Sequence, residues 1–244
     1  LEFARRSHLR CITPGEIVGM RGLCRSRPGH GIGLREIRRR GHEGTGRRKD
    51  SEAGAVDLVQ LLGTRMNVEG HVMFVTKKFS PPGHWMNIVG IAAKKAGADF
   101  SNTVYAYAKT AIASFDAFIQ CWDEKFRSNV LRPETAINKY IDQEWRPYLQ
   151  TPPFPEYTCG HSTVSSSAAE ALTSVFGDNF NYTDTSELEF GIKNRSFTSF
   201  RQAAIENNWA RFYGGIHYHN SCIISTEYGR KVGSLVNEKL KMKK

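Results

Sequence analysis

Three short segments of the sequence combine cationic or imidazole side chains with glycine or proline. They are KFRSNVLRP at 125–133, CGH at 159–161 and RFYGGIHYH at 211–219. Glycine and proline mark turns, so each segment is expected at or near the end of a helix. A tetrahedral oxyanion is well bound by guanidinium forks, an ammonium group and the amides of a helix N-terminus. If the segments converge in the fold, they form such an oxyanion site.

Each of these side chains also has an ordinary structural interpretation. Most lysines and arginines are solvated, which would be the default for Lys125 and Arg132. His161 could be a polar residue in the first turn of a helix, and Cys159 could fill space as a small buried residue. The combined arrangement of the three segments, rather than any single residue, favours the oxyanion site.

The elements that must position these segments are predicted to be helices. Apolar residues recur three or four positions apart between residues 104 and 126, which is typical of the buried face of a helix. They are Val104, Ala108, Ala111, Phe115, Phe118, Trp122 and Phe126. Ser101 is the expected N-cap of this helix.

Three further helices are predicted downstream. One begins near His161, with a face made of Val164, Ala168, Leu172 and Val175. The next spans about 199–212, and the last spans about 221–241 with a face made of Ile224, Tyr228, Val232, Leu235 and Leu240. The segment QTPPFPEY cannot be helical, because proline removes a donor and extends its neighbour. With few strand signals elsewhere, the predicted fold class is an all-α helical bundle.

Positive charge is concentrated at the start of the chain. Residues 1–50 hold 13 of the 34 Lys and Arg but only 5 of the 24 Asp and Glu, so the remainder is nearly neutral. This Arg- and Gly-rich segment lacks an apolar period and is expected to stay outside a packed core. We therefore predict a basic leader at 1–70 and a helical domain at 71–244. No specific nucleic-acid partner is predicted, and no apolar run is long enough for a transmembrane helix.

In order, the segments read Lys, six residues, Arg-Pro; then a small residue, Gly-His; then Arg, five residues, His. This order resembles the three-part signature shared by vanadium-dependent haloperoxidases and type-2 phosphatidic acid phosphatases. The stretches SPPGHWMNI, TPPFPEYTCGHS and ARFYGGIHY look most similar to the soluble, chloroperoxidase-type bacterial branch. The resemblance covers roughly residues 72–244 and implies a helical bundle of the haloperoxidase and acid-phosphatase type.

The resemblance also implies which residues bind the oxyanion. Lys125, Arg132 and Arg211 would bind the oxygens of vanadate or phosphate. The amide of Gly160 and the side chain of Cys159 would complete this set of donors. A five-coordinate centre needs such equatorial neutralisation together with two axial groups.

The two histidines would be those axial groups. The resemblance makes His217 the apical ligand of vanadium in a peroxidase, or the nucleophile that becomes a phosphohistidine in a phosphatase. It makes His161 the general acid–base. Vanadate is the implied cofactor of the peroxidase, and the phosphatase needs none. The substrates would be halide and hydrogen peroxide, or a phosphate ester. Relatives are often exported, although no export signal can be read in this sequence. The resemblance leaves a homo-oligomer open.

Two positions depart from the family pattern. Cys159 stands where relatives usually have Ser, and because a thiol is a weaker donor, oxyanion binding should be looser by on the order of 1 kcal/mol. A thiol there is also open to oxidation. Ser221 stands where many relatives have an Asp that orients the apical histidine, so a backbone carbonyl or another residue is expected in that role. An apolar wall on the halide side is expected from Phe154 and Trp85.

Family members are typically built from two helical bundles with a long N-terminal half. This chain has the basic leader in that place, so a bundle truncated on its N-terminal side is expected. Two interpretations therefore stand beside the haloperoxidase. One is an acid phosphatase that uses the same residues, and the other is an inactive, truncated remnant.

Overall fold

The computed structural model describes residues 80–188 and 192–241. Within these ranges the chain forms α1 (Pro81–Ala96), α2 (Phe100–Ser128), α3 (Pro133–Tyr140), α4 (Gly160–Phe176), α5 (Phe200–Tyr213) and α6 (His219–Lys239). Strand β1 (Tyr182–Asp184) pairs antiparallel with β2 (Arg195–Phe197). The predicted all-α class is confirmed. The predicted leader at 1–70 lies outside the described residues.

Helix α4 lies at the centre of the bundle and packs against α1, α2, α5 and α6. Its sequence consists mostly of small residues, and every residue from Ser162 to Leu172 is buried. Small side chains allow four neighbouring helices to approach one axis while the interior stays close-packed. The prediction of this helix is confirmed, and Val164, Ala168 and Leu172 lie in the interior as expected.

The main apolar core lies between α1, α4, α5 and the strands. Its large members are Trp85, Ile88, Val89, Leu172, Tyr182, Phe197 and Phe200. The rings of Tyr182 and Phe200 stack with their centroids 5.2 Å apart. The expectation that Trp85 forms a wall of the oxyanion site is therefore wrong, because an indole ring in this core stabilises the fold instead.

Helix α2 is predicted correctly as a helix but with the wrong face buried. Asp99, not Ser101, is its N-cap, and the Asp99 carboxylate accepts a first-turn backbone N–H at 2.7 Å. The predicted apolar stripe faces solvent, since Phe115 is 64% and Phe126 is 58% exposed. The buried face carries smaller or polar residues: Ala106, Lys109, Thr110, Ala113, Ser114, Ala117, Cys121, Glu124 and Lys125.

Helix α6 shows the same preference for small residues at the interface. Ile224 and Leu235 of its predicted face are exposed. The buried residues are Ser221, Cys222, Ser225, Gly229, Gly233 and Val236. A Cβ atom on Gly229 would lie 2.1 Å from the carbonyl oxygen of Thr163, so the backbones of α4 and α6 come too close for any side chain there.

Among the residues described, no helix is both long and apolar enough to cross a membrane.

Candidate oxyanion site

Five helix ends meet where α4 begins. Helices α2 and α5 end there, and α3, α4 and α6 begin there. The structure brings together all seven predicted site residues: Lys125, Arg132, Cys159, Gly160, His161, Arg211 and His217. His161, for example, interacts electrostatically with Lys125, Arg211 and His217, which belong to the other two segments.

Two of the cations hold the proline-rich loop against α2. The Lys125 Nζ donates to the carbonyl oxygens of Pro155 and Glu156, both at 2.9 Å. The Arg132 Nε donates to the carbonyl oxygen of Phe154 at 2.9 Å. Because the prolines keep this loop out of a helix, its carbonyl groups are free to accept these bonds. The loop that leads into α4 is thereby fixed over the site.

We call Lys125, Arg132 and Arg211 the cationic cluster. Their side chains are buried, at 0%, 5% and 8% exposure. No carboxylate among the described residues forms an ion pair with any of them, while Arg132 Nη2 and Arg211 Nε have no hydrogen-bond partner. Burial lowers the pKa of all three groups. A buried, unpaired charge is costly, so this cluster is the environment of an anion-binding site.

The start of α4 adds backbone donors to the cationic cluster. Helices α1, α2 and α5 are capped by the side chains of Ser80, Asp99 and Ser199, each of which accepts a first-turn N–H. The N-cap of α4 is Cys159, and its side chain makes no capping hydrogen bond. The first N–H groups of a helix have no intrahelical partner, and the helix dipole favours an anion in front of them. The amide of Gly160 is one of these groups.

Aromatic rings border the cationic cluster. The centroid of the Phe154 ring lies 5.3 Å from Lys125 Nζ and 5.1 Å from Arg132 Cζ. The Trp122 ring lies 5.3 Å from the Phe154 ring. A Cβ atom on Gly160 would lie 3.3 Å from Trp122, so glycine lets α4 begin close against this ring. Phe154 is thus placed at the site as expected, with Trp122 beside it.

His217 is held by a carboxylate. Its Nδ1 lies 2.6 Å from Glu156 Oε1, and its Nε2 lies 3.0 Å from an Arg132 guanidinium nitrogen. Because arginine can only donate, Nε2 must accept, and the ring proton is therefore on Nδ1 and donated to Glu156. Glu156 also accepts from the Tyr218 amide at 3.2 Å and from the Ser221 hydroxyl at 3.0 Å. The Nε2 lone pair of His217 consequently points toward the cationic cluster.

Glu156 is the site residue that the sequence analysis missed. The orienting group for His217 was expected to be a backbone carbonyl or another residue, and it is this buried carboxylate, which is 1% exposed. Ser221 supports it indirectly by donating to Glu156. The sequence feature that could have pointed to Glu156 is its place in the proline-rich loop that leads to Cys-Gly-His. Because this loop is not a helix, a carboxylate there does not belong to a solvated helix face.

His161 is half-buried in the first turn of α4. Burial lowers its pKa well below the ordinary value of 6.5, and the positive charges of Arg211 and Lys125 lower it further. The imidazole is therefore neutral near pH 7 and can accept a proton.

Cys159 is completely buried, and its backbone amide donates to the Ser225 hydroxyl at 2.8 Å. Burial by itself would raise the pKa of its thiol. Interactions with the side chains of Cys222 and His217 outweigh burial and lower that pKa well below 9.0. The interaction with Cys159, followed by burial, raises the pKa of the Cys222 thiol.

Comparison with known proteins shows the family of this chain. The family model described as the VCPO second helical-bundle domain matches residues 105–243. The chain therefore belongs to this family, within the vanadium haloperoxidase superfamily. No curated protein matches the sequence.

Solved structures extend the similarity beyond the family model. The first bacterial vanadium-dependent iodoperoxidase is 45% identical with a TM-score of 0.68, over 80% of this chain and 50% of the iodoperoxidase. A holo-type bacterial vanadium-dependent chloroperoxidase is 22% identical with a TM-score of 0.57, over 78% of this chain and 47% of its own. The apo-type chloroperoxidase is 20% identical with a TM-score of 0.53, over 78% of this chain and 48% of its own. The two chloroperoxidases support the fold alone, and this chain spans about half the length of the structures it matches.

Proposed function

We propose that this protein is a haloperoxidase that uses hydrogen peroxide to oxidise a halide at a vanadate bound through His217. One observation carries the proposal: three buried cations surround the start of a helix, and among the described residues no carboxylate forms a salt bridge with any of them. Membership of the vanadium haloperoxidase superfamily supports vanadate as the anion that such a site would bind.

The residues present fit vanadate. Arg132 Nη2 and Arg211 Nε are buried donors without partners, and both could donate to its oxygens. Lys125 and the Gly160 amide would add charge and a further donor. Arginine forks and helix N-termini are the donors that tetrahedral oxyanions favour.

His217 would hold the metal through its Nε2 lone pair. Glu156 fixes the tautomer in which Nε2 carries no proton, as carboxylates commonly do for metal-bound histidines, and vanadium would take the place of Arg132 at this lone pair. When bound, vanadate would supply an electrophilic centre that activates hydrogen peroxide toward halide.

His161 would handle the proton. With its pKa lowered, the neutral imidazole can take a proton from hydrogen peroxide and later return it to the leaving oxygen. The positive charges that lower this pKa belong to the same groups that would bind the oxyanion. Anion binding would partly neutralise them, so we expect the basicity of His161 to rise when the site is filled.

We propose iodide as the halide to test first. The match to the bacterial iodoperoxidase is much stronger than the match to either chloroperoxidase. Iodide is also the most easily oxidised of the common halides. Cys159, a weaker donor than the serine expected there, would polarise the oxyanion less and so suit the less demanding substrate.

The test is iodide oxidation by the full chain after incubation with orthovanadate, with hydrogen peroxide supplied. Activity should require both reagents, and His217→Ala should lower turnover by about a thousandfold or more, because catalytic groups commonly contribute that much. His219→Ala is the matched control, since His219 is exposed and lies only two residues away.

Three results would contradict the proposal. Full turnover in His217→Ala would remove the residue assignment. Hydrolysis of a chromogenic phosphomonoester without any halide oxidation would assign the site to a phosphatase. A folded chain that is silent in both reactions would favour the inactive remnant.

A further inference from the structure

The side of α2 that faces away from the bundle is apolar. Exposed apolar side chains recur there at helical spacing, and we call them the outer face: Val104, Tyr107, Ile112, Phe115, Phe118, Ile119 and Phe126. Residues at this spacing lie on one side of a helix, so they form one continuous surface. The opposite side of α2 packs against α1, α4 and α6, which leaves the outer face without a partner among the described elements.

The outer face is as large as a protein–protein interface. Taking about 200 Å² for a large apolar side chain, it exposes roughly 600–700 Å² of apolar surface. The largest apolar patch of a typical monomer is about 300–600 Å². A stable interface buries about 800 Å² on each partner, including its polar rim. The area therefore suits a surface that a second protein covers.

We propose that the outer face is a dimer interface, at which α2 packs antiparallel against α2 of a second copy of this chain. A two-fold interface requires a surface that is complementary to itself when reversed. The outer face meets this condition because its residues are placed symmetrically about Phe115. Ile112 and Phe118 lie three positions on either side of Phe115, and Val104 and Phe126 lie eleven positions on either side.

The sizes of the side chains also favour the antiparallel orientation. Ala108 and Ala111, which are small and exposed, lie seven and four positions before Phe115. Trp122 and Ile119 lie seven and four positions after it. Antiparallel packing about Phe115 would place each alanine of one copy opposite a large side chain of the other, which allows the close packing of an interface core. Parallel packing in register would place Trp122 opposite Trp122 and leave a gap at Ala108.

The exposed charges of α2 lie beside the outer face. They are Asp116, Asp123 and Arg127, and Arg127 forms an ion pair with Asp123. Asp116 directly follows Phe115, so the Asp116 carboxylates of the two copies would lie near the two-fold axis and repel each other. The dimer should therefore tighten when the charge at position 116 is removed.

The basic segment at 1–50 is the alternative occupant within this chain. It is rich in Arg and Gly and has no apolar period, so it offers no apolar surface that matches the outer face. Its arginines would be attracted to Asp116, and their binding should weaken when that charge is removed. Asp116→Asn consequently has opposite effects for the two occupants.

The experiment measures the mass of the full chain in solution by sedimentation equilibrium, from nanomolar to high micromolar concentration. We expect a dimer with twice the chain mass of 27.5 kDa. Phe115→Asp should raise the dimer dissociation constant about thirtyfold or more, as truncation of a central aromatic residue commonly does. Asp116→Asn should lower it about two- to fivefold, which is the range for exposed charge pairs.

Tyr140→Asp is the matched control, because Tyr140 is an exposed aromatic residue on α3. It should leave the dimer dissociation constant unchanged. The orientation is tested by mixing Ala111→Cys with Ile119→Cys under oxidising conditions. The mixture should form more crosslinked dimer than either variant alone, and the unmutated chain gives the background from native thiols.

Several results would overturn the proposal. A chain that stays monomeric at high micromolar concentration would leave the outer face to a further segment, such as one from the half of the iodoperoxidase that this chain does not match. A dimer that Phe115→Asp does not weaken would use another surface. Weaker association in Asp116→Asn, or stronger crosslinking of Ala111→Cys with itself, would contradict the occupant or its orientation. No halide, vanadate or turnover enters this test, so its result is independent of the proposed function.

Discussion

Arg201 and Arg211 lie on the same helix, and their pKa values are shifted in opposite directions. Arg201, in the first turn of α5, makes two hydrogen bonds to the Glu170 carboxylate, at 2.8 and 2.6 Å, and also contacts Asp178. The bond to Glu170 raises its pKa. Arg211, in the last turn, pairs with no carboxylate of the described residues, and burial lowers its pKa. At the start of α5 the fold supplies carboxylates to Arg201. At the end of α5 it leaves the positive charge of Arg211 available to a ligand.

Glu156 must be considered in this comparison of Arg201 with the cationic cluster, because it is a carboxylate close to the cluster. It is a buried carboxylate that interacts electrostatically with Lys125 and Arg132. Its oxygens, however, accept hydrogen bonds from His217, from the Tyr218 amide and from Ser221. It therefore orients the histidine, and the cationic cluster still lacks a carboxylate that it binds directly.

The largest expected effect comes from removing the charge at one end of α5. Arg211→Gln should weaken phosphate binding by roughly 10- to 150-fold, because a hydrogen bond to a charged group contributes about 1.5–3 kcal/mol. The measurement is calorimetric titration with phosphate, supported by the rise in Tm that phosphate produces.

Arg201→Gln is the control at the other end of the helix. It should keep the phosphate affinity and lower the free energy of unfolding by up to about 1 kcal/mol, since its ion pair is partly exposed. The comparison fails if the two variants lose phosphate affinity to the same extent.

A somewhat smaller effect is expected from Glu156→Gln. Loss of the carboxylate that orients a metal ligand typically lowers metal affinity or activity by about 10- to 100-fold. We expect that loss in vanadate-dependent iodide oxidation, while phosphate affinity should not fall because a negative charge has been removed from beside the cationic cluster. Glu170→Gln is the matched control, and it should leave turnover unchanged. A parallel drop in phosphate affinity would show that Glu156 maintains the site as a whole.

Cys159→Ser should strengthen anion binding at the cationic cluster, because it replaces a weak hydrogen-bond donor at the start of α4 by a stronger one. A hydroxyl donates more strongly than a thiol, so vanadate should bind more tightly by about 1 kcal/mol, which is about fivefold. Cys121→Ser should leave the dissociation constant unchanged. An unchanged or weaker constant in Cys159→Ser would place residue 159 outside the group of oxyanion donors.

The smallest effect is expected at His84, whose counter-ion is a carboxylate of the protein, and it concerns the free energy of unfolding. His84 Nε2 lies 2.7 Å from Asp184 Oδ2, and although burial opposes it, this carboxylate raises the pKa of His84 above 6.5. A raised pKa means that the folded state binds the proton more tightly, so this stabilisation is complete below pH 6.5 and is lost as the pH rises through the folded-state pKa.

The corresponding measurement is urea unfolding as a function of pH. The difference in the free energy of unfolding between the unmutated chain and His84→Gln should be largest near pH 5–6 and shrink toward pH 8. His161 has a lowered pKa, so its contribution has the opposite sign, and stability should fall as the pH drops below 6.5. A difference between the two chains that stays constant with pH would contradict this account of His84.

The sequence was sufficient to predict the helical class and the position of α4, and the resemblance to a known family implied the convergence of the seven site residues. Chemistry at turns depends on local residue types, which a sequence shows directly. It was misleading for the buried faces of α2 and α6. There the interface with α4 requires small residues such as Ala113 and Gly229, whereas apolar periodicity selects large ones such as Phe115. Glu156 was missed because its partner His217 is distant in the chain, and only the fold brings them together.

The close approach of α4 and α6 has a consequence for how this protein can tolerate mutation. Gly229 and Gly233 are not among the site residues, yet a Cβ atom on either would lie within 2.7 Å of a backbone oxygen of α4. His161 stands at the start of α4, and His217 lies two residues before the start of α6. Any side chain at these glycines would therefore push the two histidines apart. Random mutagenesis scored by activity should find these two positions nearly as intolerant as the histidines themselves, while the outer surface of α2 accepts many polar replacements.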